Sequence, residues 1–156
     1  MTSDKNSRGF LDGPRFKLIN WYPPLLGAGI HVLHRESDAY TIKVKMPLTK
    51  LNFNAVGTHF GGSLYAMCDP WFMLILMQHL GRDYIVWDKA ASIQFVKPGK
   101  GTVYATFHIP PDAIATIKAQ ADAGEKLEPV FNVDVVDSAG EVIARVEKRL
   151  YVRRKK

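Results

Sequence analysis

Tyr40, Ile42, Val44 and Met46 alternate with Thr41, Lys43 and Lys45. A period of two marks a strand with one buried face, and Pro47 ends it. Ahead of this strand the pattern is weaker. Residues 1–9 read as loose chain. Phe16, Leu18, Ile19 and Trp21 fit a short helix over 14–22, with Pro14 near its first turn, where a missing N–H costs little. Pro23 and Pro24 interrupt it, and a second helical piece is expected from Leu25 to about Leu33.

After a loop over 48–60 comes the longest apolar stretch, Gly61 to Leu80. Asp69 is the only formal charge between Phe60 and Leu80. A strand of that length is unusual, so a helix is expected, with Gly81 as its stop. A helix apolar on all sides must be buried in a core or a membrane. About 20 residues suffice for a span, but Asp69, Pro70 and Gln78 interrupt this one, and the surrounding strands need a core. The expectation is a core helix and no membrane span.

Strands dominate thereafter. Tyr84–Val96 is rich in strand-forming residues, and Lys97-Pro98-Gly99-Lys100-Gly101 is a turn. Val103, Ala105, Phe107 and Ile109 share one face of the next strand, which Pro110 and Pro111 stop. Ile114, Ile117 and Ala121 define one side of a helix over 112–123. Val130–Val136 is a strand, Asp137-Ser138-Ala139-Gly140 a hairpin turn, and Val142–Val152 the last strand. Its even positions are apolar except Lys148. The expected class is α+β: an antiparallel sheet, its later strands in hairpin-like succession, covering one central helix.

Length and composition fit this picture. The 156 residues, 47% hydrophobic and 23% charged, suit one domain with one core. A single cysteine, Cys68, excludes an internal disulfide and implies no oxidising compartment. Met1–Lys17 holds no apolar run of signal-peptide type, so a cytoplasmic location is expected. The net charge of +6 gathers at the C-terminus in Arg153, Arg154, Lys155 and Lys156. Such a tail can meet nucleic acid, an acidic membrane or a phosphorylated ligand, or simply be solvated. The solvated reading is preferred, and nucleic acid is not the expected partner. His31, His34, His59, His79 and His108 lack metal-site spacing, and no nucleotide loop is present, so no metal or organic cofactor is expected.

The segment Asn54-Ala55-Val56-Gly57-Thr58-His59-Phe60-Gly61-Gly62-Ser63-Leu64, followed by Asp69, resembles the hotdog acyl-CoA thioesterases, most closely the phenylacetate-pathway type. Relatives of that type carry Asn-x-x-Gly-Thr-x-His-Gly-Gly and an acidic residue in the central helix. The resemblance covers about residues 38–152. It implies a hotdog fold, with five to six antiparallel strands curved around the helix. On that basis residues 1–36 form an N-terminal helical extension, 37–152 the hotdog core and 153–156 a basic tail. The resemblance also implies a homodimer or dimer of dimers, with an acyl-CoA or similar thioester bound between subunits. One departure stands out: Phe60 occupies the place of the His, while neighbouring His59 is expected to point elsewhere.

Roles follow residue by residue. An isolated carboxylate in an apolar helix is costly to bury, and functional sites tolerate such costs. By the resemblance, Asp69 is the base that activates water or the nucleophile; the alternative is a structural carboxylate. Pro70, next to it, kinks the helix or breaks it. Gly61 and Gly62 open the helix, where first-turn N–H groups lack partners and can stabilise an oxyanion. The resemblance makes Gly61 the donor and assigns Asn54 to orienting substrate or water. Without it, Asn54 reads as a turn former. Asn54 and Gly61 would then face the partner's Asp69. Thr58, Phe60, Gly62, Ser63 and Asp88 complete the expected substrate contacts, Asp88 reading otherwise as an exposed strand carboxylate. Trp71–Met77 is expected in the core and dimer seam. Lys97, Lys100 and the basic tail could meet coenzyme A phosphates. A non-catalytic acyl-CoA or hydrophobic-ligand binder is the alternative function; Phe60 argues against a dehydratase.

Overall fold

The computed structural model describes residue 11, residue 16, residues 18–35 and residues 39–156. The loose segment expected over 1–9 lies outside these, as does part of the helix expected over 14–22; within that stretch Ile19–Trp21 forms a 3-10 turn.

Helix α1 (Pro23–Ala28) has proline in its first turn and ends at Gly29, whose φ of 75° is left-handed. The Gly29 and Ile30 N–H groups cap the Leu26 and Leu25 carbonyls. This closure overturns the helix expected to about Leu33: His31–Arg35 is strand β1, paired antiparallel with β2 (Thr41–Met46). His31 and His34 therefore lie on a strand, not a helix.

The long apolar segment is two helices, α2 (Gly61–Ala66) and α3 (Trp71–Leu80). Proline has no N–H to continue the ladder, so the break falls at Met67–Pro70. The Trp71 indole N–H donates to the Met67 carbonyl across it, at 2.7 Å. Gly81 ends α3 as expected. Trp71, Phe72, Leu74, Ile75, Leu76 and Leu80 of α3 are buried.

Strands β3 (Tyr84–Phe95), β4 (Val103–His108), β5 (Val130–Asp137) and β6 (Val142–Arg154) complete one antiparallel sheet, with α4 (Pro111–Asp122) between β4 and β5. The order is β1-β2-β4-β5-β6-β3. This corrects the hairpin-like succession: β3 pairs with β6, not with β4, and forms an edge. Phe72 packs edge-on against Phe107 of β4 at 5.2 Å and stacks on Phe131 of β5 at 5.1 Å, so the sheet face and α3 share one core. The basic tail is shorter than expected. Arg153 and Arg154 belong to β6, and Arg154 meets Asp122 at 3.3 Å.

Candidate active site

Asp69 stands in the break between α2 and α3. Its N–H reaches the Ala66 carbonyl at 3.3 Å, just past the end of α2. The carboxylate is half exposed. It is not isolated, contrary to expectation. Tyr65, one helical turn earlier, donates its hydroxyl to Asp69 Oδ1 at 3.0 Å, and Lys148 Nζ donates to the same oxygen at 3.0 Å. Asp69 Oδ2 has no hydrogen bond among the described residues.

Lys148 was the odd residue in the apolar alternation of β6. Ala144, Val146, Leu150 and Val152 face the core, and the pleat carries Lys148 in with them, fully buried. Its ammonium also meets Asp88 Oδ2 at 3.1 Å and the Tyr65 hydroxyl at 3.2 Å. An ammonium has three N–H donors, and three acceptors surround this one. Asp88 comes from β3, where it faces Leu150; a bulge follows, since Asp88 pairs with Leu150 but Ala90 with Arg149. The extra residue leaves Asp88 on the inner face beside Lys148. The exposed carboxylate expected at Asp88 is thus largely buried and paired, and its Oδ1 is buried without a partner.

Electrostatics follow from this packing. Burial pushes the Asp88 carboxyl up, against the opposing pull of Lys148. Burial pulls the Lys148 ammonium down, but the bonds to Asp69 and Asp88 together outweigh it, so its affinity for the proton is raised. Burial raises the Tyr65 phenol. The Cys68 thiol is pushed up to about 12, chiefly by burial, which fits a buried hydrophobe rather than a nucleophile.

The loop over 54–62 builds a different feature. Asn54 Nδ2 donates to Thr58 Oγ1 at 2.9 Å and to the His59 carbonyl at 3.3 Å. Its Oδ1 accepts the N–H groups of Val56 and Thr58, each at 3.1 Å. The amide is engaged in shaping its own loop. A cavity of about 390 Å³ lies against this loop, lined by Asn54, Thr58, His59, Gly61, Leu64 and the 95–99 segment of β3 and its turn. A Cβ on Gly61 would come to 3.0 Å from the Phe95 ring, so a larger residue there would press on that exposed ring and displace it by a few tenths of an ångström. The Gly61 N–H opens α2 and has no hydrogen bond among the described residues. Thr58 and Gly61 therefore stand where a ligand in the cavity could meet them. Phe60, Gly62, Ser63, Asp88 and Asp69 do not line it; Phe60 is exposed.

His59 does not point away from the site, as expected, but lines the cavity. It is buried; Nε2 meets the Gly101 carbonyl at 2.7 Å, while Nδ1 is buried without a partner. Burial lowers its proton affinity, with the Gly101 contact opposing. Lys97 also lines the cavity and pairs with Glu141. Within one chain the cavity and the Asp69–Lys148–Asp88 cluster are separate. No group of three metal-ligating side chains occurs among the described residues.

A family model, a domain of unknown function designated DUF4442, matches residues 16–152. The chain belongs to the DUF4442 family. No curated protein sequence matches it. Solved structures supply the likeness for this DUF4442 domain. A Pseudomonas aeruginosa protein named a probable thioesterase superposes with a TM-score of 0.73 at 19% identity, over 82% of this chain and 85% of the other. A thioesterase of Haemophilus influenzae gives 0.61 at 16% identity, over 83% and 82%. The Escherichia coli PaaI protein, from the phenylacetic acid degradation operon, gives 0.55 at 16% identity, over 85% and 83%. The DUF4442 chain has the hotdog fold of these thioesterase-like proteins, as the loop motif implied. No helix among the described residues is long and apolar enough to cross a membrane.

Proposed function

We propose that this chain is an acyl-CoA thioesterase of the cytoplasm. It works as a homodimer or a dimer of dimers, with the loop and cavity of one protomer facing Asp69 of its partner. The observation that carries the reading is Asp69: a half-exposed carboxylate in a break of the core helix, with one oxygen held by two donors and the other bare. In this reading Asp69 Oδ2 takes a proton from water as the water oxygen bonds to the thioester carbonyl carbon. The C–S bond then breaks, and the sulfur leaves with the proton as a thiol. The Gly61 N–H, at the opening of α2, polarises the carbonyl oxygen. The separation of Asp69 from the cavity in one chain supports a site completed by a second.

Thiol release from short, long and aryl acyl-CoAs tests this, with wild type beside Asp69→Asn. Turnover should fall by on the order of 10²–10⁴-fold in the variant, the usual contribution of a positioned base. Equal rates would remove Asp69 from the chemistry. A non-catalytic acyl-CoA binder is the second reading, favoured by the engagement of Asn54 within its own loop and by Phe60 in place of the histidine. Thermal protection by acyl-CoA without thiol release would select it.

A further inference from the structure

We infer that Lys148 is a positioning residue for Asp69, held in place by Asp88 and Tyr65; the inference rests on the thioester reading above. The argument starts from where Lys148 lies. It occupies an inward position of β6 between Val146 and Leu150, both buried, and none of its side chain is exposed. A hydrophobe of similar volume would fill that position without desolvating a charge, so a buried ion pair is weak evidence for a purely stabilising role. The geometry is directional instead. All three ammonium donors are used, on Asp69 Oδ1, Asp88 Oδ2 and the Tyr65 hydroxyl.

The consequence falls on Asp69. Two donors converge on Oδ1, one from α2 and one from the sheet. They fix the rotation of the carboxylate and leave Oδ2 as the free oxygen. A half-exposed aspartate without them would sample several rotamers. Asp88 acts one step further back: its Oδ2 holds the ammonium against β3, while its Oδ1 stays buried and bare. A buried acceptor left without a partner is a feature that stability does not account for. The bulge after Asp88, which brings this carboxylate beside Lys148, is a local departure of the kind found next to active sites.

The test is a double-mutant cycle on acyl-CoA hydrolysis, with folding followed by circular dichroism. Lys148→Met should lower kcat by roughly 10²-fold with KM nearly unchanged, because the residue touches Asp69 and not the substrate. In the Asp69→Asn background the same substitution should cost nothing further, since its effect passes through the carboxylate. Equal losses in both backgrounds would mean a general structural role and overturn the assignment, as would full activity of Lys148→Met. If Lys148→Met fails to fold, Asp88→Asn carries the same cycle, with a smaller loss expected in the same direction and again none in the Asp69→Asn background. Absence of wild-type turnover on every thioester would sink the thioester reading and the role of Lys148 with it. Turnover lost in Asp69→Asn but undiminished in Lys148→Met would sink the role of Lys148 alone.

Discussion

His59 keeps one ring nitrogen bonded, Nε2 to the Gly101 carbonyl, and one buried and bare. Burial depresses its proton affinity below the ordinary 6.5. The unfolded chain therefore binds more protons than the folded chain just below that value, and stability rises with pH through this window. The stabilisation is complete above about pH 6.5 and is lost as pH falls toward the folded value. Thermal unfolding midpoints measured from about pH 7 down to about pH 5 should fall more steeply for wild type than for His59→Gln, whose amide can keep the Gly101 bond without titrating. Parallel curves would show that His59 does not titrate with folding. Lys148 illustrates the opposite balance at the same scale: its two carboxylates more than offset the cost of burying the charge.

The helical elements are decided by burial and interruption rather than by propensity. In α3, Phe72 is 1% exposed between Phe107 and Phe131, whereas Met77 is 39% exposed. Phe72→Ala should destabilise by about 3–5 kcal/mol in urea unfolding, the range for a buried phenylalanine. Met77→Ala should change stability by less than about 1 kcal/mol. Similar costs at the two sites would mean that α3 is buried on its Met77 side as well, as it would be in a dimer seam. The break before α3 has its own clasp, the Trp71 indole to the Met67 carbonyl. Asp69 lies within that interruption and is half exposed there.

For the whole molecule, the decisive feature is the sheet order. Strand β3 is a 12-residue edge, and Trp87, Phe95 and Val96 on or beside it are about half exposed. Long unpaired edges invite pairing with another chain. Sedimentation should therefore give a particle of at least twice the 17.5 kDa chain mass at micromolar concentration. A monomer under those conditions would remove the shared site, because the cavity and Asp69 do not meet within one chain.

Elements that rest on local rules are legible in the order of residues alone. Tyr40–Met46, Val103–Ile109 and Val142–Val152 announce their buried faces by alternation, and the structure buries most of those side chains. Gly81 and the loop motif 54–62 were likewise legible, because turn chemistry and a family pattern are written in adjacent residues. Asp69 was conspicuous as a charge in an apolar run. Its partners lie far off in the chain, although Lys148 breaks the alternation of β6 and so carries a signal. The contact of Lys148 with Asp69, 79 positions away, and the bulge that sets Asp88 beside them emerge only when the chain folds. So do the pairing of β3 with β6, the passage at Gly29 into a strand, and the placing of His59 against the cavity. The physical reason is common to all of these. Periodicity reports which face of an element avoids water, whereas strand order, bulges and ion pairs depend on which distant elements come to share that face.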